Sequence, residues 1–182
     1  DAIAEACRTI ESADRMPTLK ELADAVGMSR FHFHKMFKKM LGVTPAQFAR
    51  EKRMERIRKQ LREKATITDA VYGAGFASGS RFYENASGKL GMKPAQYRNG
   101  GENMLIRLAV AECYLGWVLV AATEKGICAI EIGDDPDTLR ERLRQRFSRA
   151  EFLENDPGFA EIVNRVLALL ESPGDELDLP LD

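Results

Sequence analysis

Residues 29–41 read SRFHFHKMFKKML, and this stretch decides the fold that we expect for the first half of the chain. Its apolar residues recur at intervals of three and four, which places them on one face of an α-helix that needs a core. Those residues are Phe33, Met36, Phe37, Met40 and Leu41. The opposite face carries aromatic and basic side chains, namely Arg30, Phe31, His34, Lys35 and Lys38. The segment therefore predicts an amphipathic helix with a basic outer face.

A shorter helix is predicted just before this segment, over residues 18–27. Thr18 and Glu21 have the spacing of a capping box, in which each side chain satisfies a backbone N–H of the first turn. Gly27 suits the left-handed conformation in which many helices end. Helix, glycine-containing turn and basic second helix together form the helix-turn-helix pattern. The alternative for one isolated match is an ordinary helical pair with a solvated basic surface.

The same pattern recurs about 49 residues later, and recurrence at a fixed interval argues against an accidental match. The offset is 48 residues up to the glycine of the turn and 49 residues beyond it, so the second turn contains one additional residue. The matched pairs include Gly27 with Gly75, Ser29 with Ser78, Phe33 with Phe82, Gly42 with Gly91, and Pro45 with Pro94. The chain therefore predicts two related helix-turn-helix motifs, each with its own recognition helix.

Base edges of DNA are the contacts that we expect for the outer faces of both recognition helices. In the first helix the candidates are Arg30, Phe31, His34 and Lys35. Mapping them across the offset gives Gly79, Ser80, Tyr83 and Glu84 in the second helix. The second helix is the weaker reader, because Glu84 repels phosphates, although a glutamate can accept a hydrogen bond from a cytosine amino group. Phosphate contacts are predicted for Lys38, Arg50, Arg53, Arg56, Arg81 and Lys89.

A long charged helix is predicted between the two motifs, beginning at Thr44 and Pro45 and running to about residue 64. Residues 50–64 include eight basic and three acidic residues. A solvated charged helix is one interpretation. The other uses length, since about 20 residues at 1.5 Å each span ~30 Å, close to one turn of duplex DNA. Such a helix would place both recognition helices in successive major grooves.

Charge divides the chain into two parts that the net charge of −1 hides. Residues 1–100 contain 19 Lys and Arg against 11 Asp and Glu, whereas residues 101–182 contain 8 against 17. We therefore predict two domains, 1–100 and 101–182, and a polyanion as the partner of the first. In the second domain, strands are predicted at residues 105–111, 114–123, 127–132 and 177–182, with helices opened by Pro136 and Pro157.

No metal site, cofactor or membrane span is predicted. Cys7, Cys113 and Cys128 are odd in number and lack CxxC spacing, so we interpret them as reduced core residues. His32 and His34 point about 200° apart on a helix and cannot share a metal ion. No run of ~20 apolar residues and no signal peptide is present, which predicts a cytoplasmic protein.

Residues 18–98 resemble the AraC/XylS class of transcription activators. The resemblance is carried by Gly75, Phe76, Ser78, Phe82, Gly91, Pro94, Tyr97 and Arg98. Residues 98–139 resemble the beginning of the alkyltransferase part of the Ada family, bifunctional regulators of the response to DNA alkylation. Their sequence is RNGGENMLIRLAVAECYLGWVLVAATEKGICAIEIGDDPDTL. The resemblance implies an all-helical tandem helix-turn-helix domain followed by an incomplete ribonuclease-H-like α/β subdomain.

The resemblance also implies a protein that takes methyl groups from DNA onto its own cysteines and then activates repair genes. In that family the acceptor lies in a Pro-Cys-His-Arg segment, which this chain lacks, as it lacks the four-cysteine zinc module. We therefore expect no catalytic residue here and no acceptor role for Cys7, Cys113 or Cys128. The chain opens in mid-helix without a methionine, which suggests further sequence before it.

Three functions are open at this point. The first is sequence-specific binding of double-stranded DNA at a promoter operator, as the recognition unit of an activator. The second is a methyl-transfer suicide enzyme in a full-length parent protein. The third is an adaptor role, in which the acidic domain contacts RNA polymerase or packs back on the basic domain.

Overall fold

A computed structural model describes residues 2–13, 15–63, 66–75 and 79–171, without the side chains of residues 79–81, 84 and 85. The chain groups into two compact units, the first of Asp1–Gln60 with Thr68–Gly79 and the second of Leu61–Ile67 with Ser80–Asp182. The predicted domain boundary at residue 100 follows charge rather than compactness and stays a prediction. Within the described ranges, no helix has the length and apolar character needed to cross a bilayer.

Seven α-helices precede the sheet within the described residues, and the predicted helical segments are confirmed. They are α1 (Ala2–Ser12), α2 (Leu19–Ala25), α3 (Arg30–Leu41), α4 (Pro45–Arg62), α5 (Ile67–Gly73), α6 (Gly79–Leu90) and α7 (Pro94–Arg98). The capping box of α2 is present, because the Glu21 N–H donates to Thr18 Oγ1 and the Thr18 N–H donates to Glu21 Oε2. Gly27 and Gly42 both adopt left-handed backbone conformations, with φ of 67° and 75°.

Two aromatic residues of α3 form the centre of the first unit's core. Phe33 and Phe37 are fully buried, with ring centroids 5.6 Å apart, and Phe48 of α4 packs edge-on against Phe37. Apolar residues of α1 and α2 complete this cluster, which contains Ile3, Ala6, Ile10, Leu22 and Ala23. The buried face of α3 is therefore fixed by contacts with α1, α2 and α4.

The predicted apolar stripe of α3 is wrong at its last turn. Met40 is 53% exposed and Leu41 is 40% exposed, whereas Phe33 and Phe37 are buried. Both residues keep the helical spacing, but the core cluster includes only the earlier turns of α3. Periodicity identifies the face of a helix, and the extent of the neighbouring helices decides how much of that face is covered.

The described part of the second unit contains a four-stranded mixed sheet in the order β3-β2-β1-β4. Its elements are β1 (Leu105–Cys113), β2 (Gly116–Thr123), β3 (Gly126–Gly133), α8 (Pro136–Arg146), β4 (Glu151–Glu154), a 3-10 turn (Pro157–Phe159) and α9 (Ala160–Glu171). Strands β1, β2 and β3 are antiparallel neighbours, and β4 is parallel to β1. Three predicted strands and both helices are confirmed. The fourth strand predicted at residues 177–182 lies outside the described residues.

Strand β4 is not predicted from the sequence, and the sheet is covered by helices that are. Four residues, Glu151–Glu154, are too few for an alternating pattern to stand out from a loop. Helix α8 contacts β2 and β3, whereas α9 contacts β1. The core beneath α9 is formed by Val118, Val120, Ala122, Phe159, Val163 and Val166.

Candidate nucleic-acid interface

The buried face of α3 determines which of its side chains face solvent. Ser29 caps the helix by accepting a hydrogen bond from the His32 N–H, and Gly42 ends it. With Phe33 and Phe37 in the core, all four predicted base-contacting residues of α3 are exposed: Arg30, Phe31, His34 and Lys35. Phe31 is 80% exposed, more than any other large apolar residue among those that the structure describes.

A shallow depression on this face is lined by Phe31, His34, Lys35, Lys38 and Lys39. Four of these residues are predicted contacts, and the structure brings them together. Lys39 is an addition that the sequence reasoning missed. Its spacing of four residues from Lys35 places both side chains on neighbouring turns, which was the available signal.

The cations of α3 are not neutralised within the described part of the chain. There, Arg30, Lys35, Lys38 and Lys39 form no ion pair with a carboxylate. Helix α4 differs, because its Lys52 lies 3.1 Å from carboxylates of both Glu11 and Glu55. The outer face of α3 therefore combines uncompensated positive charge with an exposed aromatic ring, a combination suited to a polyanion that also offers apolar groups.

Arg53 and Arg56 of α4, both predicted to contact phosphates, are partly buried within the first unit. The Arg56 guanidinium donates to the carbonyl oxygens of Ile10 at 3.1 Å and Ala13 at 2.7 Å, and also to that of Glu11. These carbonyls end α1 and lack helical partners, and a cation there also complements the helix dipole. Arg53 is half-buried, and burial together with the nearby Arg56 lowers the pKa of its guanidinium. Arg50 is exposed.

Replacing Arg56 by alanine should lower the free energy of unfolding by about 1–3 kcal/mol, because the carbonyls at the end of α1 lose their donors. Arg50→Ala removes the same charge from an exposed position of α4 and should change that free energy by no more than about 0.5 kcal/mol. Urea denaturation followed by far-ultraviolet circular dichroism compares the two variants. Equal losses would contradict the structural role of Arg56.

The second recognition helix, α6, repeats the buried anchor of the first. Phe82, which corresponds to Phe33, is 2% exposed. Tyr83 is 51% exposed and lies edge-on to Phe82, with centroids 5.5 Å apart. Lys89 is half-buried. The side chains of Gly79, Ser80 and Glu84, predicted to contact bases, and of Arg81, predicted to contact a phosphate, are not among those that the structure describes, so their contacts stay predictions.

None of the three cysteines is bonded to another, and two of them have environments that disfavour the thiolate. Burial raises the pKa of the Cys128 thiol to about 12. Burial, helped by Glu11, also raises the pKa of Cys7, although Lys52 and the adjacent Arg8 act in the opposite direction. Nucleophilic cysteines need a lowered pKa. Within the described residues, no group of three His, Cys, Asp or Glu is placed to hold a metal ion.

Cys128 should resist alkylation at pH 8, because a thiol with a pKa of about 12 is ionised in only about one molecule in ten thousand at that pH. Cys113 is less buried and should react with iodoacetamide much faster. Peptide mass mapping of the folded protein over time measures both rates, and the same reaction in denaturant provides the control, in which the rates converge. Equal rates in the folded protein would contradict the burial of Cys128.

The helix-turn-helix arrangement has counterparts among known proteins. Residues 22–100 match the family described as "Helix-turn-helix domain". The crystal structure of an AraC-type transcriptional regulator from Chromobacterium violaceum matches with a TM-score of 0.50 and 25% identity, over 56% of this chain and 93% of that chain. The DNA-binding domain of the global transcriptional factor AdpA, solved with a target DNA, gives the same score and identity, over 54% and 91%. The chain thus contains an AraC-type helix-turn-helix domain.

The chain as a whole is homologous to the Ada proteins. It is 42% identical over all 182 residues to the "Bifunctional transcriptional activator/DNA repair enzyme Ada" of Escherichia coli K12. The resemblance that the sequence predicts is confirmed. The chain spans 51% of the length of that relative.

Proposed function

We propose that this chain is the promoter-binding part of an Ada-type transcriptional activator and that it binds double-stranded DNA through α3 and α6. The observation that carries the proposal is the outer face of α3, where the exposed Phe31 lines one depression with Lys35, Lys38 and Lys39, and where Arg30 is also exposed. Support also comes from AdpA, a structural neighbour whose DNA-binding domain was solved with a target DNA.

In this proposal, α3 reads bases and its flanking cations position the protein. Arg30, His34 and Lys35 donate hydrogen bonds to base edges, and Phe31 contacts a thymine methyl group. Lys38 and Lys39 contact phosphates, which fix register but do not discriminate between sequences. Arg50 and Arg53 of α4 add phosphate contacts. We assign Arg56 to the end of α1 instead, because its donors are already used there.

The second reader is α6, with Gly79, Ser80, Tyr83 and Glu84 toward the bases and Arg81 and Lys89 toward phosphates. Helix α4 separates the two motifs with 18 residues, which at 1.5 Å each gives a length of ~27 Å. The proposal requires a spacing of about one turn of duplex, roughly 34 Å, between two readers that bind successive major grooves, and the length of α4 is of that order.

We also propose that the sheet and its helices form a ribonuclease-H-like subdomain. In a methyltransferase of this family, such a subdomain precedes the active half. Support comes from the strand order β3-β2-β1-β4, in which only β4 is parallel to its neighbour, with helices packed on the sheet. The chain itself should not transfer methyl groups, since it lacks the Pro-Cys-His-Arg acceptor segment and since burial raises the pKa of both Cys7 and Cys128. Incubation with duplexes carrying labelled O6-methylguanine tests this, and label on any cysteine would refute it. An RNA polymerase contact by the acidic second part is a further proposal.

Selection of bound duplexes from a random-sequence pool tests the DNA-binding proposal. The wild-type chain should enrich one bipartite sequence, and its affinity for that duplex should fall as salt rises, with a log–log slope of roughly −0.9 for each phosphate neutralised. The matched control is a variant with both Lys35→Glu and Lys38→Glu, which should enrich no sequence. If the wild-type pool also stays unenriched, the proposed function is wrong.

A further inference from the structure

The end of α6 and the β2–β3 hairpin make a close contact through glycines. Gly126 has a φ of 134°, and a Cβ placed on it would lie 2.9 Å from the Gly88 carbonyl oxygen. Gly91 has a φ of 68°, and a Cβ there would lie 2.7 Å from both the Gly126 oxygen and Cys128 Cβ. Real Cβ atoms do not approach other atoms so closely, so backbone lies directly against backbone at both glycines.

A buried hydroxyl joins the same two elements. Thr123 is only 8% exposed. Its Oγ1 donates a hydrogen bond to the Gly91 carbonyl oxygen and accepts one from the Lys125 N–H at 3.0 Å. Leaving such a hydroxyl without a partner costs more than the bond itself contributes, so the pairing specifies one arrangement of hairpin and helix end.

Helix α7 and the residues after it add further contacts to this junction between the end of α6 and the α/β part of the chain. Tyr97 is 2% exposed and lies edge-on to Phe147 at the end of α8, with centroids 5.3 Å apart. The Arg149 N–H donates to the Gly100 carbonyl oxygen at 2.9 Å. Leu90, the last residue of α6, and Met92, which lies between α6 and α7, are both fully buried. The last turn of α6 and the helix after it are therefore attached to the β2–β3 hairpin and to the residues that follow α8.

The two recognition helices are consequently held by different cores. Phe33 and Phe37 fix α3 within the all-helical cluster formed with α1 and α2. Residues 80–90 of α6 group with the sheet in the second unit. A helix is oriented by the core that it packs against, so a disturbance of the sheet edge should affect α6 and leave α3 unchanged.

We infer that the β2–β3 hairpin is a positioning element for the second recognition helix. It sets the direction in which α6 presents Tyr83 and its neighbours, so the α/β part of the chain takes part in operator recognition without itself contacting a base. This inference rests on the proposed function, because it requires α6 to be a reader. Thr123 and Gly126 are the positioning residues, and both act through the glycines of the α6–α7 segment.

Gly126→Ala is the principal test, using the full chain and the duplex that the wild-type chain enriches from a random pool. Affinity should fall by about tenfold or more, since one of two linked binding modules loses its alignment. Hydroxyl-radical footprints should lose protection over one half of the site. The Lys35→Ala variant identifies the other half, which is read by α3 and should stay protected.

Gly116→Ala provides the matched control. Gly116 opens β2 at the β1–β2 turn with a φ of 108°, and a Cβ on it would lie 2.9 Å from the Gly133 carbonyl oxygen. Strain and crowding within the sheet are therefore similar to those at Gly126, but the atom crowded belongs to β3 rather than to α6. This variant should bind the selected duplex with wild-type affinity and a complete footprint.

Two substitutions of Thr123 keep the test valid if Gly126→Ala does not fold. Thr123→Val keeps the shape but removes the hydrogen bond to Gly91, and it should weaken the same half of the footprint. Thr123→Ser retains the hydroxyl and should restore that protection. Equal losses for Gly126→Ala and Gly116→Ala, or wild-type footprints for Gly126→Ala and Thr123→Val, would overturn the inference while DNA binding stands. Failure of the wild-type chain to enrich any duplex would overturn the proposed function, and the inference with it.

Discussion

Replacement of Phe37 by alanine is expected to lower the free energy of unfolding of the first unit by about 3–5 kcal/mol. Phe37 is fully buried and makes ring contacts with both Phe33 and Phe48, whose centroids lie 5.6 Å and 5.7 Å away. Truncation removes the transfer free energy of the ring and leaves a cavity between three helices. Because total stabilities are typically only 5–15 kcal/mol, this change should be visible as partial unfolding at moderate temperature.

Met40→Ala is the matched control on the same helix. Met40 keeps the helical spacing of the apolar stripe but is 53% exposed, so its truncation should cost no more than about 0.5 kcal/mol. Far-ultraviolet circular dichroism follows the helices during urea denaturation. Fluorescence of Trp117, the chain's one tryptophan, follows the sheet of the second unit. Comparable losses for Phe37→Ala and Met40→Ala would mean that α3 is rotated or extended differently in its core.

These two residues also mark how far the sequence predicts the fold. Capping signals and the repeated motif predict the helices of both helix-turn-helix motifs, because caps and spacing are local properties. The exposure of Met40 is not local, since it depends on where the neighbouring helices end. The same limit applies to Arg56, whose carbonyl partners are 43–46 residues away in the chain.

The candidate site, like the fold, is only partly predictable from the sequence. The outer face of α3 follows directly from which residues are buried, so Arg30, Phe31, His34 and Lys35 were predictable from one helix alone. The junction at Gly91 was not, although the repeat matches Gly91 with Gly42. Gly42 ends a helix and is exposed, whereas Gly91 is buried against the β2–β3 hairpin. The distribution of charged residues along the sequence indicates which surfaces are basic or acidic. It does not indicate which core the end of α6 packs against.

Lys35→Ala should weaken binding to the selected duplex by about 1–3 kcal/mol and relax the preference at one base pair. Lys35 is exposed on the outer face of α3, beside Phe31 and His34, and has no carboxylate partner among the described residues. A lysine that donates to a guanine contributes most of its binding energy to one sequence. Competition titrations against duplexes substituted singly at each position measure both effects.

Two further variants separate base reading from general electrostatics. Lys38→Ala, a predicted phosphate contact, should weaken all duplexes to a similar degree and reduce the salt slope by about one. Arg165→Ala removes one positive charge from α9, where Arg165 pairs with Glu161, and should leave affinity nearly unchanged. If Lys35→Ala weakens every duplex equally, Lys35 contacts a phosphate, and the base contacts of α3 must come from Arg30 and His34. If Lys35→Ala behaves like Arg165→Ala, the exposed cations of α3 face no DNA, and the observation that carries the proposed function loses its meaning.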